Sequence, residues 1–287
     1  MHENLRHTTQ RNRLDHLLPQ GYLDGFSNPF NGGRLSVFDR RRTRWFDTGP
    51  AGAGAIRGFY DYSPGSEPDQ TADQAFAQFE TNFPIVRSEL VASGFSGWET
   101  KLDFLLGFAQ MLRVRCQLFR EQHLAHSRQL AFARVEEVLR REPSRTRPGT
   151  FDTILKVGPC LFKNEAERET LLRNRTITDM RTEIANGPAW LLELHWCLQF
   201  TGNVEDPVIT ADTPVVVDGK APTLEDALRD GATLVFFPIC WRACLIGSPA
   251  RFKKETDAFD SNDLQRLRTL YFKSARRFVF SPVRIPV

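Results

Sequence analysis

An α+β protein is the fold class this sequence predicts, and three observations predict it. Runs of alternating apolar and polar residues gather toward both ends, at 34–48 and 207–246, with a short one at 278–280. Between them, residues 71–186 carry helical periodicity. The 287 residues are 41% hydrophobic and 25% charged, a mix that can bury a core and excludes a fully disordered or fibrous chain. The reading is one domain over 1–287, with a polar, frayed N-terminus at 1–15. Its N- and C-terminal β elements join one mixed sheet around a central block of long helices.

Each element has a local reason. Leu18, Tyr22 and Phe26 are spaced by four and suit one face of a short helix, with Pro19 tolerated in its first turn. Asn31-Gly32-Gly33 marks a turn. Segments 34–39 and 43–48 read as a β-hairpin whose tip is Arg40-Arg41-Arg42. The Gly- and Ala-rich stretch 49–55 lacks the GxxxxGK[ST] frame, so it is a loop and not a phosphate loop. A short aromatic strand follows at 56–62.

A helix starts near Thr71 and runs through Ala75, Phe79, Phe83 and Val86; Pro84 should kink it or end it. From Trp98 to Glu142 a stripe begins with Leu102, Leu105, Leu106, Ala109, Leu112 and Cys116. That span is long for one helix, so a break is expected near His123–Ser127. A linker at 143–150 precedes a helix over 164–184, with Asn164 as N-cap and Glu167 three residues on. Residues 190–200 fit strand or helix. Strands are expected at 207–209, 214–217, 233–239, 241–246 and 278–280, and a helix at 261–276 capped by Asp260 or Ser261.

Charge and cysteine usage bound the function classes. The net charge of +3 is too even to demand a nucleic-acid partner. Seven lysines among 38 basic residues leave 31 arginines. Coding bias explains that excess, and so does selection of a guanidinium fork for phosphate or carboxylate. The cysteines are Cys116, Cys160, Cys197, Cys240 and Cys244. An odd number without a CxxC pair argues against a disulfide framework or a structural zinc site. Cys240 and Cys244, four apart in a strand-like run, would share a face. Reduced, buried thiols fit a reducing compartment, so a cytoplasmic location is expected. No secretory h-region and no run of 18 apolar residues is visible, so no membrane partner is expected.

Several short motifs recur in a recognisable order. They are His16-Leu17-Leu18-Pro19 with Tyr22-Leu23 and Phe26, then Leu35-Ser36-Val37-Phe38-Asp39, Gly58-Phe59-Tyr60 and Phe79-Glu80. Ile209-Thr210-Ala211-Asp212-Thr213-Pro214-Val215 and Phe237-Pro238-Ile239 complete the set. The ordered set spans nearly the whole chain and resembles a bacterial family, domain of unknown function 4238. The resemblance implies the fold and the motif positions and carries no activity. The chain departs from the family pattern at Thr213 (Asn), Ala211 (Ser) and Leu17-Leu18 (Tyr-Val).

The candidate catalytic residues are His16, Tyr60, Glu80, Arg113 and Asp212, expected around one pocket. His16 suits a ligand or general base, or a histidine that locks the helix start. Asp212 can project into a cleft or cap its own turn. Glu80, on an apolar helix face, needs a partner such as Arg113 or Arg115, which would hold two helices together. One imidazole and two carboxylates also suit a divalent metal such as Mg²⁺ or Mn²⁺ that activates water. His123 and His126 share a helix face, and His195 reads as a core histidine. Neither a GxSxG elbow nor an exposed, electropositive cysteine is evident.

The hairpin residues Arg40, Arg41, Arg42 and Arg44 with Trp45 form a candidate nucleic-acid contact, because phosphate attraction and base stacking act together. A solvated hairpin tip has the same composition. Two functional readings follow: a hydrolase acting on a phosphate-containing substrate, nucleic acid included, or a non-catalytic binding or regulatory module whose motifs are structural.

Overall fold

The computed structural model describes residues 14–57, 72–119, 121–122, 179–180, 182–219 and 233–287; for 14–16, 55–57 and 72–75 it describes the backbone alone. Several sequence expectations lie outside the described residues: 1–13, Tyr60 with most of its strand, the helix break at 123–127 with His123 and His126, the linker 143–150, Cys160, and the cap pair Asn164 and Glu167.

The protein is α+β. The hairpin of β2 (Leu35–Asp39) and β3 (Arg44–Thr48) pairs with the far end of the chain, β11 (Phe278–Ser281), which in turn pairs with β6 (Thr210–Ala211). N- and C-terminal strands therefore share one sheet, and all of its pairings are antiparallel. The remaining long strands form a second, mixed sheet in the order β10 (Thr256–Ala258), β5 (His195–Phe200), β9 (Ala243–Ser248), β8 (Leu234–Cys240), β7 (Val216–Asp218). Its one parallel pair is β10 with β5. Two short strands, β1 (Leu14–His16) and β4 (Ala55–Arg57), make a separate antiparallel ribbon.

The second sheet is buried on both faces, which is why β8 and β9 read as continuous apolar runs. Leu198, Val235, Phe237 and Leu245 belong to one core cluster, packed with α1 (Gln20–Leu23), α2 (Ala72–Ala92) and α3 (Leu102–Arg115). Cys197, Phe236, Cys244 and Ile246 belong to the other, packed with α5 (Ser261–Ser274). Between these helices lies the short α4 (Ala189–Leu192), which resolves the ambiguity at 190–200 as a helical turn followed by a strand. Asp260 caps α5 by accepting the Asp263 N–H at 2.7 Å.

Several expectations are corrected. Pro84 does not end its helix: α2 continues to Ala92. The proline removes the donor for the Glu80 carbonyl, and Gly21 lies against this step, so close that a Cβ there would sit 2.6 Å from Pro84 Cγ. The long helix also has an interruption that was not expected, at Cys116, whose backbone turns extended while its thiol bonds the Arg113 carbonyl at 2.9 Å. Cys240 and Cys244 do not share a face, because the chain reverses at Trp241-Arg242 and places them in different core clusters. His195 is exposed at the start of β5, not in the core. Strand β10 has no alternating pattern long enough to announce it.

Candidate functional site

Asp212 follows β6 directly. Its Oδ1 accepts the Arg276 N–H at 2.8 Å, and its Oδ2 accepts the N–H groups of Arg277 at 2.7 Å and Phe278 at 3.0 Å. It is only 4% exposed. The carboxylate thus caps the start of β11 from a distance of more than sixty residues, not its own turn. Burial raises its carboxyl, the three N–H bonds and nearby Arg40 oppose this, and the net position is above the ordinary 3.8. Of its four lone-pair directions three are taken, which leaves little to offer a metal.

Asp212 lines a partly open cavity of about 460 Å³. The polar lining comes from Arg41, Arg277 and Gln117 with Asp212, and the apolar lining includes Leu17, Val37, Phe46 and Phe278; residues 52–54 complete it. Six parts of the chain meet here: the segment after β1, the basic hairpin, residues 52–54, Gln117 just after α3, Asp212, and Arg277 with Phe278 at the start of β11. Arg277 donates from Nη2 to buried Asp39 at 3.2 Å and lies 4.5 Å over the Phe278 ring. Its Nε is buried and has no hydrogen-bond partner among the described residues. Burial alone would raise the Asp39 carboxyl, but Arg277 and the backbone N–H groups of Arg41 and Arg42 hold it below its ordinary value. The Arg41 guanidinium is exposed and has no ion-pair partner among the described residues.

The other sequence-derived candidates fall in different places. The His16 backbone pairs with Ala55, and the next N–H, of Leu17, bonds the Gly54 carbonyl at 2.9 Å, so this stretch borders the cavity; the His16 side chain and all of Tyr60 lie outside the described residues. Glu80 and Arg113 do not line the cavity. Glu80 forms an ion pair with Arg115, which is 4% exposed, and so joins α2 to α3. Arg113 bonds Glu183 and Gln110, each at 3.1 Å, and lies over the rings of Phe119 and Trp190. Both are explained by helix packing.

The hairpin arginines have unequal roles. Arg40 reaches the Ala275 and Lys273 carbonyls at the C-terminal end of α5. Arg42 sits 3.9 Å from Asp39, and Arg44 is exposed. Trp45 is not free to stack on a base: it is half-buried against Phe38 and Phe272, with ring centroids 5.4 and 6.4 Å away. Strand alternation turns Phe46 to the cavity instead, opposite Val37. Gln117 and Arg277 were missed in the sequence, and Phe46, which stands in the basic, aromatic hairpin cluster, was passed over for Trp45. The available signal was the Arg276-Arg277 pair ahead of the final alternating run and the Trp45-Phe46 parity.

Among the described residues no three His, Cys, Asp or Glu side chains converge as a metal site, and no helix is long and apolar enough to cross a membrane. The four described cysteines are buried and free. Burial pushes Cys116 up to about 11 and Cys197 up to about 12 and raises Cys240 and Cys244, so none is poised as a thiolate nucleophile.

Three of the motifs that follow in order along the sequence meet around one side chain. The Tyr22 hydroxyl is 2.9 Å from Thr210 Oγ1 and donates to the Pro238 carbonyl at 3.0 Å, which ties the N-terminal motif to the 209–215 and 237–239 motifs. A search of curated proteins and a search of solved structures each gave no match. A family model described as "Protein of unknown function (DUF4238)" matches residues 15–283, a stretch that holds every one of those motifs, and the chain belongs to that family.

Proposed function

We propose that this protein is a binding or regulatory module for a phosphate-bearing ligand, held in the cavity between Arg41 and Arg277. One observation carries the reading. Two guanidinium groups line one cavity, Arg41 without an ion-pair partner among the described residues and Arg277 held by Asp39 through Nη2 alone, while the cavity's carboxylate, Asp212, is occupied by three backbone N–H groups. Guanidinium forks match phosphate oxygens. The occupied carboxylate favours binding over hydrolysis, the alternative in which His16 and Asp212 would activate water. Exposed Arg42 and Arg44 beside the cavity suit a ligand with further phosphates, nucleic acid included.

Thermal unfolding with and without inorganic phosphate tests it, since a ligand that binds only the folded state raises Tm. The expected result is a phosphate-dependent rise that is lost in Arg41→Gln and Arg277→Gln. No rise with phosphate, or a rise that survives both changes, overturns the reading. Turnover of a phosphate ester with Mg²⁺ or Mn²⁺, abolished by His16→Ala or Asp212→Ala, would make the protein a hydrolase.

A further inference from the structure

The cavity is two-sided in its chemistry. Arg41, Arg277, Gln117 and Asp212 make a polar end, while Leu17, Val37 and Phe46 make an apolar wall. Phe46 is the aromatic ring of that wall. It is 37% exposed and, unlike its neighbour Trp45, is not in contact with another ring among the described residues. Phe278, the other aromatic ring in the lining, has the Arg277 guanidinium over it. A simple anion would use only the polar end. A ligand that fills the site places a phosphate at the guanidinium groups and a flat, apolar-faced group against Phe46. From this juxtaposition we propose that the ligand is a nucleoside monophosphate, its base stacked on Phe46 and its phosphate held by Arg41 and Arg277. The proposal rests on the phosphate reading above and adds the base. A cavity of about 460 Å³ lies within the usual range for small-molecule sites, roughly 300–1,000 Å³.

Isothermal titration of the full chain with inorganic phosphate, ribose 5-phosphate, AMP and UMP separates the two claims. AMP or UMP should bind roughly tenfold or more tightly than ribose 5-phosphate, the range expected for one base on one aromatic ring. Phe46→Ala should erase that difference. Phe46→Leu, which keeps apolar bulk without a π face, should lose most of it. The proposal is overturned if the nucleotides bind no better than ribose 5-phosphate, or if the gain persists in Phe46→Ala. Binding of a short oligonucleotide with no binding of AMP or UMP overturns it as well. Failure of all four phosphates to bind defeats the phosphate reading itself, a different result from phosphate binding without a nucleotide gain.

Discussion

Tyr22 and Thr210, 188 residues apart, meet hydroxyl to hydroxyl at 2.9 Å in the fully buried core. The same Tyr22 hydroxyl donates to the Pro238 carbonyl, and its ring lies against Phe26, Phe83, Phe108 and Phe237. Burial raises the phenol well above its ordinary value, so Tyr22 stays neutral and keeps its donor. One residue of α1 thus fixes where β6 and β8 sit, and β6 in turn places Asp212 at the cavity.

Removing that hydroxyl should be costly without emptying the core. Tyr22→Phe keeps the ring but strands Thr210 Oγ1 and the Pro238 carbonyl. The expected loss is about 1–3 kcal/mol, the cost of unpaired buried polar groups. Thr210→Val should overlap with it, so the double variant loses less than the two singles together. Urea unfolding of the four proteins measures this; strict additivity would show that the two hydroxyls do not act together.

Two glycines of α1 and the turn after it should resist substitution. An added Cβ would meet Pro84 Cγ at 2.6 Å from position 21, and Arg87 Nη1 at 2.9 Å with Cys240 Cβ at 3.2 Å from position 25. Gly21→Ala presses on a rigid ring and should cost about 1–3 kcal/mol. Gly25→Ala also disturbs the turn whose carbonyl accepts the Trp241 N–H at 2.9 Å. A melting temperature equal to wild type in either variant would contradict these contacts.

The three tip arginines should separate in a stability assay. Arg40→Gln removes a cation from the end of α5 and should cost about 1 kcal/mol. Arg41→Gln and Arg42→Gln remove exposed charges and should change stability by less than about 0.5 kcal/mol. Equal effects at all three positions would place Arg40 in solvent.

Asp47 should govern part of the acid sensitivity. Arg284 at 2.6 Å holds its carboxyl below the ordinary 3.8, with help from Ser36 against the opposing effect of burial. A lowered folded value means that the contribution is complete above about 3.8 and is lost as pH falls through the folded value. The Tm difference between wild type and Asp47→Asn should therefore narrow as pH drops below 4. Asp212 runs the opposite way: its raised value favours the protonated form in the folded state, so its ionisation lowers stability as pH rises from 3.8.

Local pattern made the hairpin, α5 with its Asp260 cap, the paired strands β8 and β9, and β11 legible. Each rests on spacing within a few residues. Asp212 and Glu80 stood out because carboxylates on apolar runs need partners, and Arg115 was one of two partners expected for Glu80. Features set by distant parts of the chain were not legible. Trp45 and Phe46 are equivalent in the sequence until β2 and α5 decide which faces the core. Arg277 becomes a cavity residue only through Asp39, 238 positions away. Cys116 turns extended and ends its helix at a point where the apolar periodicity continues.

The place of β11 also sets a timetable for synthesis. Strand β2 lies between β3 and β11, and its partner residues Asp39 and Phe278 are separated by most of the chain. At roughly 5–20 residues per second, the hairpin leaves the ribosome about 12–48 s before its neighbour exists. Over that interval the inner edge of β2, with Leu35, Val37 and Phe38 beside it, has no strand to pair with. A nascent chain stalled before residue 278 would present a sticky ribbon to chaperones, and a full-length one would not.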